Sequence, residues 1–183
     1  MALYEVRKNA ESYGHAVGII LVDVRTPFIP GDVGNASTYP FPVVYRTVPD
    51  VTLERLIDKG DKSLTGNVIQ TAKELEDMGV RAIASDCGYM IHFQAEVAAA
   101  VSVPVIMSSL IQLPMLERSI GPNQKVGIIC ANRPRLTDDM LALAGLRDPG
   151  RAVIRGMETS AAFRAPILDE KPLLDDVLIE RDI

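Results

Sequence analysis

VRAIASDCGYM, residues 80–90, decides the fold. Val80, Ala82, Ile83 and Ala84 make a short apolar strand that stops at a small polar turn carrying Cys87. Gly88 follows at once, and then a helical run over residues 91–101. A buried strand that ends in a polar turn and feeds a helix is the repeating unit of α/β proteins, which place their ligands beyond the carboxyl ends of the strands. Helix N–H groups and the helix macrodipole favour a thiolate at such a position, which makes Cys87 the leading candidate for chemistry. The competing reading is an inert cysteine serving as a small hydrophobe.

The same grammar extends outward in both directions. Residues 16–22, AVGIILV, form a continuous apolar run suited to a strand covered on both faces. A proline- and glycine-rich loop follows over residues 26–43, with Asp32 and Asn35 in turn-forming company. Loops this long without regular structure are usually functional, and this one reads either as a lid or as a packed Ω-loop. Further strands are expected at residues 42–48, 103–107, 125–131 and 152–155. Helices are expected at residues 51–60, 63–78, 110–120, 136–144 and 172–183, and residues 159–169 read as irregular. In the helix over 63–78, Leu64, Val68, Ala72 and Leu75 share one face and Gly79 stands at the C-terminal cap. Residues 1–14 read as a polar surface lead-in. Val-Gly-Ile-Ile occurs at residues 17–20 and again at 126–129, each copy opening a strand. The order of elements around the two copies suggests two similar lobes.

Bulk properties narrow the function. The 183 residues include 19 Lys plus Arg against 24 Asp plus Glu, a formal charge of −5 that argues against nucleic acid or an anionic membrane as partner. Apolar runs are strand-length, far short of a membrane span. The amino terminus has no apolar signal segment, and two cysteines make no disulfide framework, so a cytoplasmic setting with reduced thiols is expected. With no CxxC, no HExxH and only His15 and His92, the sequence offers no pattern for a protein-built transition-metal site.

The combination of GIILVDVRTPFIPGDVGNASTYPFPV, the SDCGYM turn and VPVIMSSLIQLPML resembles the aspartate/glutamate racemase superfamily, and within it a branch marked by the PGDxGN loop and the CG turn. The resemblance implies an α/β fold of two Rossmann-like lobes with parallel sheets, related by pseudo-two-fold symmetry. Here they fall at residues 1–118, with Cys87, and 119–183, a second lobe read as incomplete. It also implies a cofactor-independent isomerase. One thiolate would remove the proton α to the carboxylate of an aspartate- or glutamate-like substrate, and a thiol of the other lobe would return one. The motif match assigns the first role to Cys87. Carrying the VGII offset forward places the partner cysteine past Ile183, because Cys130 falls inside the first strand of lobe two and reads as core. Alternatives are a hydantoin racemase, maleate isomerase or decarboxylase relative using the same thiol, or a non-catalytic binding protein that keeps the fold. A homodimer or higher homo-oligomer is expected.

Substrate contacts are assigned to Asp23, Asn35, Gly88, Tyr89, Ser108, Ser109 and Asn132. The N–H groups of Gly88, Tyr89 and Met90 would hold the substrate carboxylate. Ser108 and Ser109 read equally as caps of the next helix, and Asn132 as a turn residue. Arg133 or Arg135 would serve a second substrate carboxylate, against the alternative of surface arginines. His92 reads as a partly exposed helix residue. Asp86 would raise the thiol's pKa if it faced Cys87, and alternation along an extended backbone predicts that it faces elsewhere.

Overall fold

The computed structural model describes residues 3, 5–7, 10 and 12–183, so the lead-in expected over residues 1–14 lies partly outside the described residues. Residues 17–106 build a four-stranded, all-parallel sheet from β1 (Val17–Leu21), β2 (Val43–Thr47), β3 (Ala82–Ser85) and β4 (Val105–Ile106), in the order β2-β1-β3-β4. A second parallel pair follows, β5 (Val126–Cys130) and β6 (Ala152–Gly156). The two VGII copies thus open β1 and β5.

Helix α1 (Thr65–Asp77) covers the first sheet with Val68, Thr71, Ala72 and Leu75, the i, i+3, i+4, i+7 stripe of an amphipathic helix. It packs tightly over β1, where a Cβ on Gly18 would come within 3.0 Å of the Leu75 side chain. Gly79 ends the helix at φ +80°, a conformation that suits glycine at this cap.

The boundaries that differ from expectation have local causes. Strand β4 has two residues because it lies at the sheet edge beside Pro104, which has no N–H to donate, and Ile106 is half exposed. Residues 91–101 are not one helix: a 3-10 segment, Gly88–Phe93, precedes α2 (Gln94–Ala100). Pro114 sits in the first turn of α3 (Leu113–Ser119), where its missing N–H costs nothing. In the second half, α4 (Asp138–Leu143) is capped by the Thr137 side chain. The stretch expected to be irregular holds α5 (Ala161–Phe163), capped by Ser160, and a π-type turn, Arg164–Leu168. The last helix, α6 (Asp176–Asp182), starts four residues later than expected because Asp175 accepts the Leu178 N–H at 3.0 Å.

One continuous apolar cluster joins the two sheets, from Ile20 and Ile83 through Tyr89 and Met90 to Ile128, Leu136 and Met140. No helix among the described residues is long and apolar enough to cross a membrane.

Candidate active site

A cavity of about 500 Å³ lies beyond the carboxyl ends of β1 and β3, where parallel sheets hold their ligands, and runs along β5 from Val126 to Cys130. Val22 and Val24 enter it after β1, Asp86, Cys87, Gly88 and Tyr89 after β3, and Ile128 and Cys130 from β5. The proline-rich loop contributes Thr26, Phe28 and Asp32, and α5 with its π-type turn contributes Phe163, Ile167 and Leu168. Ser109 and Gln112 come from the turn after β4.

Cys87 caps the 3-10 segment with its backbone extended, and the N–H groups of Tyr89 and Met90 point toward its sulfur. These contacts favour a thiolate, as expected, but two stronger effects oppose them. Burial, and then the Asp86 charge, push the thiol up to about 12, so by itself the cavity holds a thiol and not a thiolate. A 3-10 turn supplies no long aligned dipole to offset this. The Met90 N–H also donates to the Cys87 carbonyl at 3.0 Å. It is therefore already spent and is not a free donor for a substrate carboxylate.

Asp86 does not face elsewhere. Its carboxylate accepts the Val22 N–H at 3.1 and 3.3 Å, locking the turn after β3 to the end of β1, and the residue lines the same cavity as Cys87. Burial raises its carboxyl to about 7 against these hydrogen bonds, with a further push from the Asp32 charge.

Tyr89 bridges the two sheets. Its buried hydroxyl donates to the Asn132 carbonyl at 2.7 Å and accepts the Asn132 N–H at 3.0 Å. It also hydrogen-bonds the Cys130 thiol, and burial raises the pKa of both groups. Cys130 is therefore more than core: half-buried at the end of β5, it packs against the apolar cluster and also lines the cavity that Cys87 lines. Sequence reasoning passes over it because β5 reads as a wholly buried run. The signal available is its place as the last residue of the second VGII strand.

Of the residues assigned from sequence, Cys87, Gly88, Tyr89 and Ser109 line the cavity, and Asp23, Asn35, Ser108 and Asn132 do not. Asp23 pairs with Arg25 at 3.2 Å on the surface. Asn35 is spent inside its loop, donating to the Phe28 carbonyl at 2.8 Å and accepting from Ser37. Ser108 is buried and accepts the Leu110 N–H at 3.2 Å, the capping alternative. Asn132 meets Tyr89 through its backbone. Neither arginine enters the cavity: Arg135 pairs with Asp58 at 3.1 Å, and Arg133 donates to the Leu136 carbonyl. His92 also lies away from it, with burial lowering its pKa. Among the described residues that line the cavity there is no Lys, Arg or His, while two carboxyl groups, Asp32 and Asp86, face it.

Arylmalonate decarboxylase, in a cysteine-substituted form bound to sulfate, superposes on 89% of this chain and 68% of its own with a TM-score of 0.52 and 13% identity. The chain shares the α/β fold of that decarboxylase, as the sequence resemblance leads one to expect of its parallel sheets. No protein-family model matches it. In sequence, a dimethylsulfoniopropionate lyase of Durusdinium sp. clade D is 36% identical over 126 residues, covering 66% of this chain and 41% of the relative. Dimethylsulfoniopropionate lyase 6 of Emiliania huxleyi is 31% identical over 169 residues, covering 89% and 44%. The chain thus spans less than half the length of these relatives. They overturn the expected activity: the similar curated proteins are named lyases, not amino-acid racemases or other isomerases. The expectation of an α/β fold stands, and the isomerase expectation does not.

Proposed function

We propose that this chain carries the thiol site of a dimethylsulfoniopropionate lyase, with Cys87 as the base. The observation that carries this reading is the charge of the cavity. An aspartate- or glutamate-like dianion would meet two carboxyl groups and no cation, whereas dimethylsulfoniopropionate brings its own positive charge.

The reaction needs one base. Cys87 removes a proton from the carbon α to the carboxylate, the C–H electron pair becomes the Cα–Cβ double bond, and the Cβ–S bond breaks toward sulfur. The products are neutral dimethyl sulfide, acrylate and a thiol carrying the proton. No second acid is required, because the sulfur leaves uncharged, and no proton returns to the opposite face as racemisation would demand. The resting thiol, held near 12 by burial and Asp86, is eased toward thiolate when the sulfonium enters, since a nearby cation favours the charged form. The low-dielectric wall of Val22, Leu110, Leu113 and Ile128 strengthens that effect. The Gly88 and Ser109 backbone lies at the turns where the substrate carboxylate would sit.

The test is headspace measurement of dimethyl sulfide, with acrylate quantified in solution, from this chain and its Cys87→Ala variant. Equal amounts of the two products are expected, with release lost by about 100-fold or more in the variant. Release that survives the substitution would remove Cys87 from the base role.

A further inference from the structure

The loop over residues 26–35 is shaped by bonds of its own and anchored to the rest of the fold, with the Tyr45 hydroxyl of β2 donating to the Val33 carbonyl at 3.1 Å. The Asn35 amide donates to the Phe28 carbonyl at 2.8 Å, and Asp32 Oδ1 accepts the Gly34 N–H at 2.8 Å. Gly34 has no room for a side chain, because a Cβ there would stand 2.5 Å from the Phe28 ring. These contacts fix the Phe28 ring and the Asp32 carboxylate within one short loop, and both residues line the cavity. Phe163, from α5, adds a second ring to the lining. The loop is held against that part of the chain by Thr26, whose hydroxyl donates to the Pro166 carbonyl at 3.1 Å, and by the Arg25 N–H, which donates to the Glu170 carboxylate at 2.8 Å. The charge of Asp32 reaches the Asp86 carboxyl, so the loop and the Cys87 turn face one shared space.

A methylated sulfonium or quaternary ammonium has no N–H or O–H to donate. It is recognised by a carboxylate and by aromatic faces, not by hydrogen bonds. A cavity lined by two carboxyl groups, Asp32 on the loop and Asp86 at the Cys87 turn, by two phenyl rings and, among the described residues, by no Lys, Arg or His has that chemistry. We infer that Asp32, which shares the cavity lining with Phe28 and Phe163, is the residue that selects an onium carboxylate over a carboxylate of the same shape that lacks the cation. It is a specificity determinant and takes no proton. The inference rests on the lyase reading for the natural cation, while the recognition itself depends only on charge and shape.

Two isosteric probes isolate the charge. 3-(Trimethylammonio)propionate and 4,4-dimethylpentanoate differ only by N⁺ against C, and neither carries a sulfonium leaving group. Calorimetric titration of this chain is expected to show the onium probe binding about tenfold or more tighter than the neutral one. Asp32→Asn keeps the oxygen that accepts the Gly34 N–H and removes the charge. It is expected to bring the two affinities within about threefold by weakening only the onium probe. Asp32→Glu is expected to restore part of the preference. A preference unchanged in Asp32→Asn, or equal weakening of both probes, overturns the inference. Dimethyl sulfide release is scored in parallel. Release with an unaltered preference in Asp32→Asn sinks the role of Asp32 and leaves the lyase reading standing. A preference that collapses in a chain releasing no dimethyl sulfide sinks the lyase reading and keeps Asp32 as an onium selector.

Discussion

Replacing Asp86 by asparagine probes a carboxyl group that pays for its position beside the site. The carboxyl is buried against the end of β1, and the two bonds it accepts from the Val22 N–H do not offset the loss of water. Its pKa rises from 3.8 to about 7. A carboxyl whose folded pKa lies above its unfolded value contributes stability that is fully present below the unfolded pKa. That stability is lost as pH rises through the folded one. The window is therefore about pH 4 to pH 7, and a displacement of this size corresponds to about 4 kcal/mol across it. The Asp86→Asn side chain would keep an acceptor for the Val22 N–H and carry no charge at any pH.

Urea denaturation of the two proteins, followed by circular dichroism at about pH 4, 6 and 8, measures the difference with all other titrations cancelled. The variant is expected to match the wild type at the lowest pH and to exceed it by about 2–4 kcal/mol at the highest. The same change removes the charge that helps raise the Cys87 thiol, so alkylation of Cys87 in a Cys130→Ser background should extend to lower pH. A stability difference that does not change with pH would refute the assignment of Asp86 as a buried, charge-penalised carboxyl.

Two further substitutions test the frame around the site. Tyr89→Phe removes the hydroxyl that both donates to and accepts from the Asn132 backbone, and should cost about 1–3 kcal/mol in urea denaturation; no loss would mean that the bridge between the sheets carries nothing. Gly145→Ala puts a Cβ 2.8 Å from Pro114 Cγ at a position with φ +88°, and should lower stability by about 1–3 kcal/mol, read as a fall in Tm; an unchanged Tm would show that α3 yields freely there.

The strand-turn-helix order is legible because it is written in short-range pattern. Apolar runs, a cap glycine at Gly79 and a helical stripe from Val68 to Leu75 need only neighbours to be read. Cys87 is legible for the same reason, standing just beyond the end of a strand. Partners that depend on distant chain are not. Strand alternation points Asp86 away from the site, but the end of β1 offers it a Val22 N–H 64 residues earlier, and that bond turns it into the cavity wall. Asn35 draws attention as a loop polar residue and proves to be consumed by its own loop, while Asp32, in the same PGDVGN motif, lines the cavity. The boundaries that move do so where a side chain intervenes locally, as with Asp175 at the start of α6.

Charge separates the two chemistries weighed for this site more sharply than the thiol does. Both begin with removal of a proton α to a carboxylate, and both want a base at the end of a strand. Racemisation of a dianionic amino acid requires donors for the second carboxylate, which cations serve best, and a proton donor on the far face. The two arginines that the sequence offers for that role are spent elsewhere, Arg135 on Asp58 and Arg133 on the Leu136 carbonyl. Elimination from an onium carboxylate reverses each requirement. The substrate supplies the cation, the wall supplies anions and rings, and the departing group leaves neutral. A buried thiol near 12, useless as a base in apolar surroundings alone, becomes serviceable when the ligand brings the positive charge. On the proposed reading the site would discriminate at the moment of activation, because a ligand of the same shape without the cation would fill the cavity and leave the thiol protonated.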